Sequence, residues 1–197
     1  MIRRLVLASA CLLMLSSCAQ LNQFQALRNV DFAIDGIQQA NLAGVNLSNI
    51  ETSSDVRPMD LLRLGQAASS GSLPLSFDLM LGADNPQTNG TAQMLELDWT
   101  LFLQDRETVS GVFNRSVTFP AGQRSVVPIS IQLDLVPFFG NNIGELLNIA
   151  TALAGQETPG ASTIRLVATP TIQTPIGPIR YPNPITIVST SVGGSGR

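Results

Sequence analysis

Histidine and lysine do not occur in the 197-residue chain, and cysteine occurs only at Cys11 and Cys18. Each absence removes a class of chemistry. Without imidazole there is no histidine base for acyl transfer, and zinc or copper lacks its preferred ligands. Charged residues are also scarce, at 13% against the roughly 25% usual in soluble domains, which excludes an acidic or basic disordered tail. The apolar fraction of 44% is enough for one proper core. A folded chain of this length hides roughly 70% of its extended surface, so one domain is stable without staples and two would be cramped. All eleven basic residues are arginines, set against fourteen acids for a net charge of -3. Eight of them lie scattered singly from Arg28 to Arg180, so no clustered cationic face is expected for a phosphate backbone, and nucleic acid is not an expected partner.

What is present begins with an address. Arg3 and Arg4 precede an apolar run from Leu5 to Leu15, followed by small residues. That layout is a secretory signal, too short for a membrane span of about 20 residues. The segment Leu15-Ser16-Ser17-Cys18 resembles the bacterial lipobox. The resemblance implies removal of residues 1–17 and acylation of Cys18, with two or more chains anchoring the protein stably. Cys11 falls in the discarded part, so no disulfide is expected. By the same analogy, Ala19 in place of aspartate implies an outer-membrane location facing the periplasm in a Gram-negative producer.

Beyond a tether over residues 18–26, apolar and polar residues alternate in many short segments, the period of half-buried strands. Leu75, Phe77, Leu79 and Leu81 alternate with Ser76 and Asp78, and Leu95, Leu97, Trp99, Leu101 and Leu103 share one face opposite Glu96, Asp98, Thr100 and Phe102. Trp99 is therefore expected in the core. Further strands are expected near Val30 to Ile34, Ala43 to Ile50, Phe113 to Phe119, Val127 to Leu135, Ile164 to Ile172 and Ile185 to Val192. Two segments carry helical spacing instead. Asn142 to Gly155 has an N-cap, Glu145 three places on and a terminal glycine; Pro58 to Ala68 has proline in its first turn and a stripe of Leu61, Leu64 and Ala68. The expected fold is mainly β: an antiparallel sandwich over residues 27–190 with two inserted helices and a mobile tail, 191–197. An open meander capped by helices is the alternative.

A family resemblance follows from several of these segments. Leu27 to Phe32 followed by Leu42 to Leu47, an apolar strand ending in Asn85-Pro86 with Ala92 to Leu103 as the next strand, Pro120-Ala121-Gly122, and Thr174-Pro175-Ile176-Gly177 near the end together resemble the late embryogenesis abundant (LEA) type 2 proteins, related to the water-stress and hypersensitive-response domain. The resemblance implies an immunoglobulin/fibronectin III-like sandwich, a link to desiccation and membrane stress, and neither catalytic residues nor a cofactor. Asn85-Pro86 also reads as a structural corner on its own terms, since proline excludes helix from the preceding residue and asparagine ends strands by bonding to backbone.

The residues offer little else for chemistry. Glu96 with Asp98, and Asp105 with Glu107, are carboxylate pairs of the kind glycoside hydrolysis uses, yet the first pair falls on the solvent side of a strand and the second flanks a hairpin turn. The oxygens of Asp84 to Gly90 lack the closing acidic ligand of a calcium loop. No metal site, phosphate cradle or enzymatic activity is expected. The unabsorbed surface is apolar: Phe138, Phe139, Ile143, Leu146 and Leu147 form a candidate groove for an acyl chain or partner. Two functions follow, a lipid-anchored stabilising or binding protein of envelope stress and, as the alternative, a lipid or hydrophobic-ligand transfer module.

Overall fold

The computed structural model describes residues 26–49, 57–140, 149, 164–174 and 177–189. Strands dominate them: β1 (Asp31–Leu42), β2 (Val45–Asn46), β3 (Pro74–Asn85), β4 (Ala92–Leu103), β5 (Arg106–Phe113), β6 (Val117–Phe119), β7 (Gln123–Asp134), β8 (Ile164–Thr174), β9 (Gly177–Arg180) and β10 (Ile185–Ser189). Helices α1 (Pro58–Ser69) and α2 (Val136–Phe139) and a 3-10 turn (Leu47–Asn49) interrupt them. Every pairing is antiparallel. The first sheet runs β2-β1-β3-β7, the second β10-β8-β4-β5, with β6 pairing β4 and β9 pairing β8. Both outer positions of the second sheet are thus broken strands, β5 continued by β6 along β4 and β10 preceded by β9 along β8. Interrupted edges offer less unpaired backbone to a neighbouring chain.

Alternation sends one face of each sheet into a common core. Leu75, Leu79, Leu81, Ile129 and Ile131 come from the first sheet, and Met94, Leu101, Leu103, Leu166 and Ile172 from the second. Burying each contributes roughly 1.5–3 kcal/mol. Phe32 on β1 meets Phe119 on β6 edge-on, centroids 5.8 Å apart, which ties the sheets at one end. Trp99 is buried as expected. Its register neighbours are Ala168 on β8 and Gly111 on β5, and the indole lies over Gly111 so closely that a Cβ there would enter the ring. Two small neighbours make room for the single large residue.

The structure departs from the expected alternation where a strand gains a residue. Met94 pairs with Ile172 but Glu96 with Thr171, so Leu95 is the extra residue of a bulge and leaves the core face, while Ala92 and Met94 hold it. The expected strand from Ala43 to Ile50 is only Val45–Asn46 before the 3-10 turn, and the one from Phe113 to Phe119 is split by residues 114–116. Helix α1 begins and ends near its expected limits, but Leu61 is 59% exposed. Asp60, paired with Arg57 at 3.0 Å and Arg63 at 3.5 Å, takes an inward position instead, so the covered line is Asp60, Leu64 and Ala67. Of the helix expected from Asn142 to Gly155, only Ile149 is described; it is helical and buried, and the rest of that span, with Ile143, Leu146 and Leu147, lies outside the described residues.

Asp134 closes the end where β3 starts. Its carboxylate accepts hydrogen bonds from the Ser72 hydroxyl at 2.6 Å, the Leu73 N–H at 2.8 Å and the Val136 N–H at 3.0 Å. Desolvation pushes its pKa up, but these three donors outweigh it and hold the carboxyl below its ordinary value. A lowered native pKa means that the stabilisation is complete above the unfolded value of about 3.9 and is lost as pH falls through the native one. Asp134→Asn is therefore expected to be less stable than the native chain at neutral pH and to show a flatter loss toward acid, as measured by denaturant midpoints across that range.

Candidate functional site

Asn85 closes β3 as the sequence suggests and is only 3% exposed. Its amide Nδ2 donates to the carbonyls of Gly90 at 3.0 Å and Phe119 at 2.7 Å. Its Oδ1 accepts from Asn89 Nδ2 at 2.6 Å, and Asn89 also donates to the Ala26 carbonyl at 2.7 Å. The Asn85 carbonyl accepts from the Gly122 N–H at 2.8 Å. One side chain thus gathers the end of β3, the turn into β4, the end of β6 and, through Asn89, the place where the chain enters the domain. Gly122 sits at φ 70° with Gln87 against it, a backbone shape that L side chains rarely adopt. The corner is saturated with internal bonds, so its chemistry is structural.

The outer face of the first sheet carries a cross-strand ionic clamp. Arg124 on β7 pairs with Asp84 on β3, its register neighbour, and reaches Asp35 on β1. Its three members are partly exposed, and such pairs contribute at most about 1 kcal/mol each. Arginines that look scattered in sequence recur opposite carboxylates or aromatic rings. The Arg165 guanidinium lies 3.9 Å from the centroid of Phe102, its register partner, with Asp105 at 3.5 Å from Arg165 Nε. That stack covers the aromatic ring expected on the solvent side.

The candidate groove residues take different positions. Phe139 is buried in the core, and Phe138 is half-buried against it. Arg106 donates to the Phe138 carbonyl at 2.6 Å and stands over the Phe139 ring at 5.4 Å. Among the described residues these two are brought together at the end of the molecule holding α2, while of the exposed large apolar side chains Met59, Leu61 and Leu62 belong to α1 and Val112, Val126 and Val188 to strands.

The carboxylates fall where the sequence places them. Asp105 belongs to the turn between β4 and β5, where Gln104 and Asp105 both have positive φ, 50° and 59°, as in a tight type I′-like hairpin. Glu96 and Asp98 share the outer face of β4, half-buried. Asp98 lines a cleft of about 350 Å³ with Thr100, Ser110, Val112, Thr169 and Arg180. Arg180 Nη1 stands 2.8 Å from Asp98 Oδ2, but that oxygen is enclosed and accepts no hydrogen bond, so the contact is ionic without being directed. Thr100 and Ser110 hydroxyls lie 3.1 Å apart. Sequence reasoning placed Asp98 on the right face and missed the cleft, whose signal is the hydroxyl residues interleaved with the core positions of β4, β5 and β8. A wider depression of about 490 Å³ lies on the other sheet, lined by Asn41, Pro74, Ser76, Gln132 and Asp134; the polar group at its edge, Asp134, already holds its three donors. Among the described residues no group of three His, Cys, Asp or Glu side chains is placed to hold a metal ion, and no helix is long and apolar enough to cross a membrane.

No family model matches the chain, and no curated protein matches it. Among solved structures it is similar to a protein from Archaeoglobus fulgidus, at 12% identity and a TM-score of 0.38, over 80% of this chain and 94% of that one. It is similar to AT1g01470 from Arabidopsis thaliana, at 14% identity and a TM-score of 0.40, over 58% of this chain and 68% of that one. A third similar structure is that of At2g46140.1, a candidate late embryogenesis abundant (LEA) protein, at 10% identity and a TM-score of 0.36, over 96% of this chain and 88% of that one.

Proposed function

We propose that this chain is a lipid-anchored, non-enzymatic protein of the bacterial envelope, with an LEA type 2-like domain of the immunoglobulin/fibronectin III kind that binds or stabilises other envelope components during desiccation or related stress. Acyl groups on Cys18 hold it to the membrane, the outer membrane facing the periplasm in a Gram-negative producer. The observation that carries this reading is the lipobox-like segment ending at Cys18 together with where the chain enters the fold. Ala26 is buried, and its carbonyl is held by Asn89 beside the Asn85 corner. Seven residues lie between Cys18 and Ala26, eight Cα steps, a reach of at most about 28 Å. Strands β1, β3 and β4 are each 12 residues long, or about 40 Å. The Asn85 end is therefore kept beside the bilayer, and the end bearing α1 is free to stand away from it. A role without turnover fits the residue inventory: Asp98 and Asp105 stand against arginines, and Asp134 holds hydroxyl and backbone donors.

Drying tests the role. A strain lacking the gene is expected to survive desiccation less well than its parent, to recover with the native gene, and to recover little with Cys18→Ser. Equal survival of deleted and parental strains would remove the stress function.

A further inference from the structure

We propose that the outer face of the second sheet binds a neutral sugar ring in the cleft formed by Asp98, Thr100, Ser110, Thr169, Arg180 and Val112. This inference goes beyond the envelope role and does not depend on the anchor. This sheet face holds an open hollow of about 350 Å³, at the small end of the range for ligand clefts. Its lining sets hydroxyls beside a carboxylate and a guanidinium. The three hydroxyl residues come from β4, β5 and β8, placed side by side by register: Asp98 opposite Thr169 and Val112, and Thr100 opposite Ser110 and Val167. Each hydroxyl both donates and accepts, and the bond between Thr100 and Ser110 leaves capacity on both.

The enclosed Asp98 oxygen separates this cleft from the larger depression on the opposite sheet. An acceptor shut away from water without a directed hydrogen bond is costly. Asp134, in the other depression, has three donors; Asp98 Oδ2 has only the undirected ion pair with Arg180 at 2.8 Å and no hydrogen bond. A ligand hydroxyl entering the cleft would supply the missing donor. Arg180 is 63% exposed, so its guanidinium is free to turn toward a ligand oxygen at little cost, since exposed ion pairs are weak. The two charges cancel, which disfavours a ligand with net charge of either sign. Donors and acceptors in alternation, beside the methyl groups of Val112 and Val167, match a ring that presents hydroxyls at its rim and C–H groups on its face.

Such a ring could come from a free disaccharide or from a cell-wall glycan. The test is an amide chemical-shift titration of the full chain in detergent micelles, with sucrose as one probe and N,N′-diacetylchitobiose as the other. Saturable shifts confined to the surroundings of Gly111, Val112 and Thr169 are expected with at least one probe at up to about 50 mM, the affinity range of a few polar contacts. Saturation by sucrose alone points to a free sugar, by chitobiose alone to a glycan. Asp98→Asn and Thr100→Val are each expected to weaken binding roughly tenfold, while Arg124→Ala on the opposite sheet leaves it unchanged. Absence of saturation with both probes, or equal binding by native and Thr100→Val chains, would overturn the proposal.

Discussion

Replacing Asn85 with aspartate is expected to destabilise the domain by about 3–5 kcal/mol at neutral pH, near the loss seen when a buried charge is left without its partner. The native amide donates to two carbonyls at a site only 3% exposed. A carboxylate turns both bonds into repulsions. Asn85→Ala removes the donors without adding charge and is expected to cost less, about 2–4 kcal/mol, because two buried acceptors then go unsatisfied. The two variants are also expected to converge in acid. Facing carbonyls in a buried site, the new carboxyl has its folded pKa raised, so its protonated form, which donates one hydrogen bond, is favoured and the deficit shrinks as pH falls. Denaturant unfolding of both variants at neutral and acid pH checks the order and the convergence. Equal stability of Asn85→Asp and native protein at neutral pH would mean that the corner is not closed by this amide.

Removing the indole is the second large effect. Trp99→Ala is expected to cost about 3–5 kcal/mol, as lost burial and an incompletely collapsed cavity add. Gly111→Ala attacks the same contact from the other side, since its Cβ would enter the ring, and is expected to cost about 1–3 kcal/mol by overpacking. Once the ring is gone the added methyl has room. The double variant should therefore be more stable than the two single losses summed, with a coupling of about 0.5–3 kcal/mol. Additive losses, measured by the same unfolding experiment, would show that the ring and the glycine do not share one space.

How far such features were legible depends on whether they are local. Alternation along one strand is a property of neighbouring residues, so the core positions Leu97, Trp99, Leu101 and Leu103 of β4 could be read directly, as could the limits of α1 and the turn at Asn85-Pro86. The bulge at Leu95 could not, because it is defined by what β8 presents opposite. Helix α1 departs from its apolar stripe: Leu61 is apolar yet exposed, whereas Asp60 is buried and paired with Arg57 and Arg63, its neighbours three places on either side. The ionic partners of Arg124, Arg165 and Arg180 depend on pairing between segments distant in sequence, and the arginines read as scatter until the sheets are formed. The cleft around Asp98 is non-local in the same way. Its hydroxyls come from three strands, and only the pairing of β4 with β5 and β8 makes them neighbours. Phe138 and Phe139 were recognised as apolar but not as a short helix, α2, whose first turn is organised by the Asp134 carboxylate.

The anchor is the claim on which the envelope reading rests, and the mass of the native chain tests it most directly. The full sequence corresponds to 20.9 kDa. Intact mass spectrometry of protein extracted from membranes is predicted to show a chain beginning at Cys18 and carrying two or three acyl chains at that residue, absent from Cys18→Ser. A membrane-extracted chain beginning elsewhere, or one beginning at Cys18 with no added lipid mass, would contradict the account.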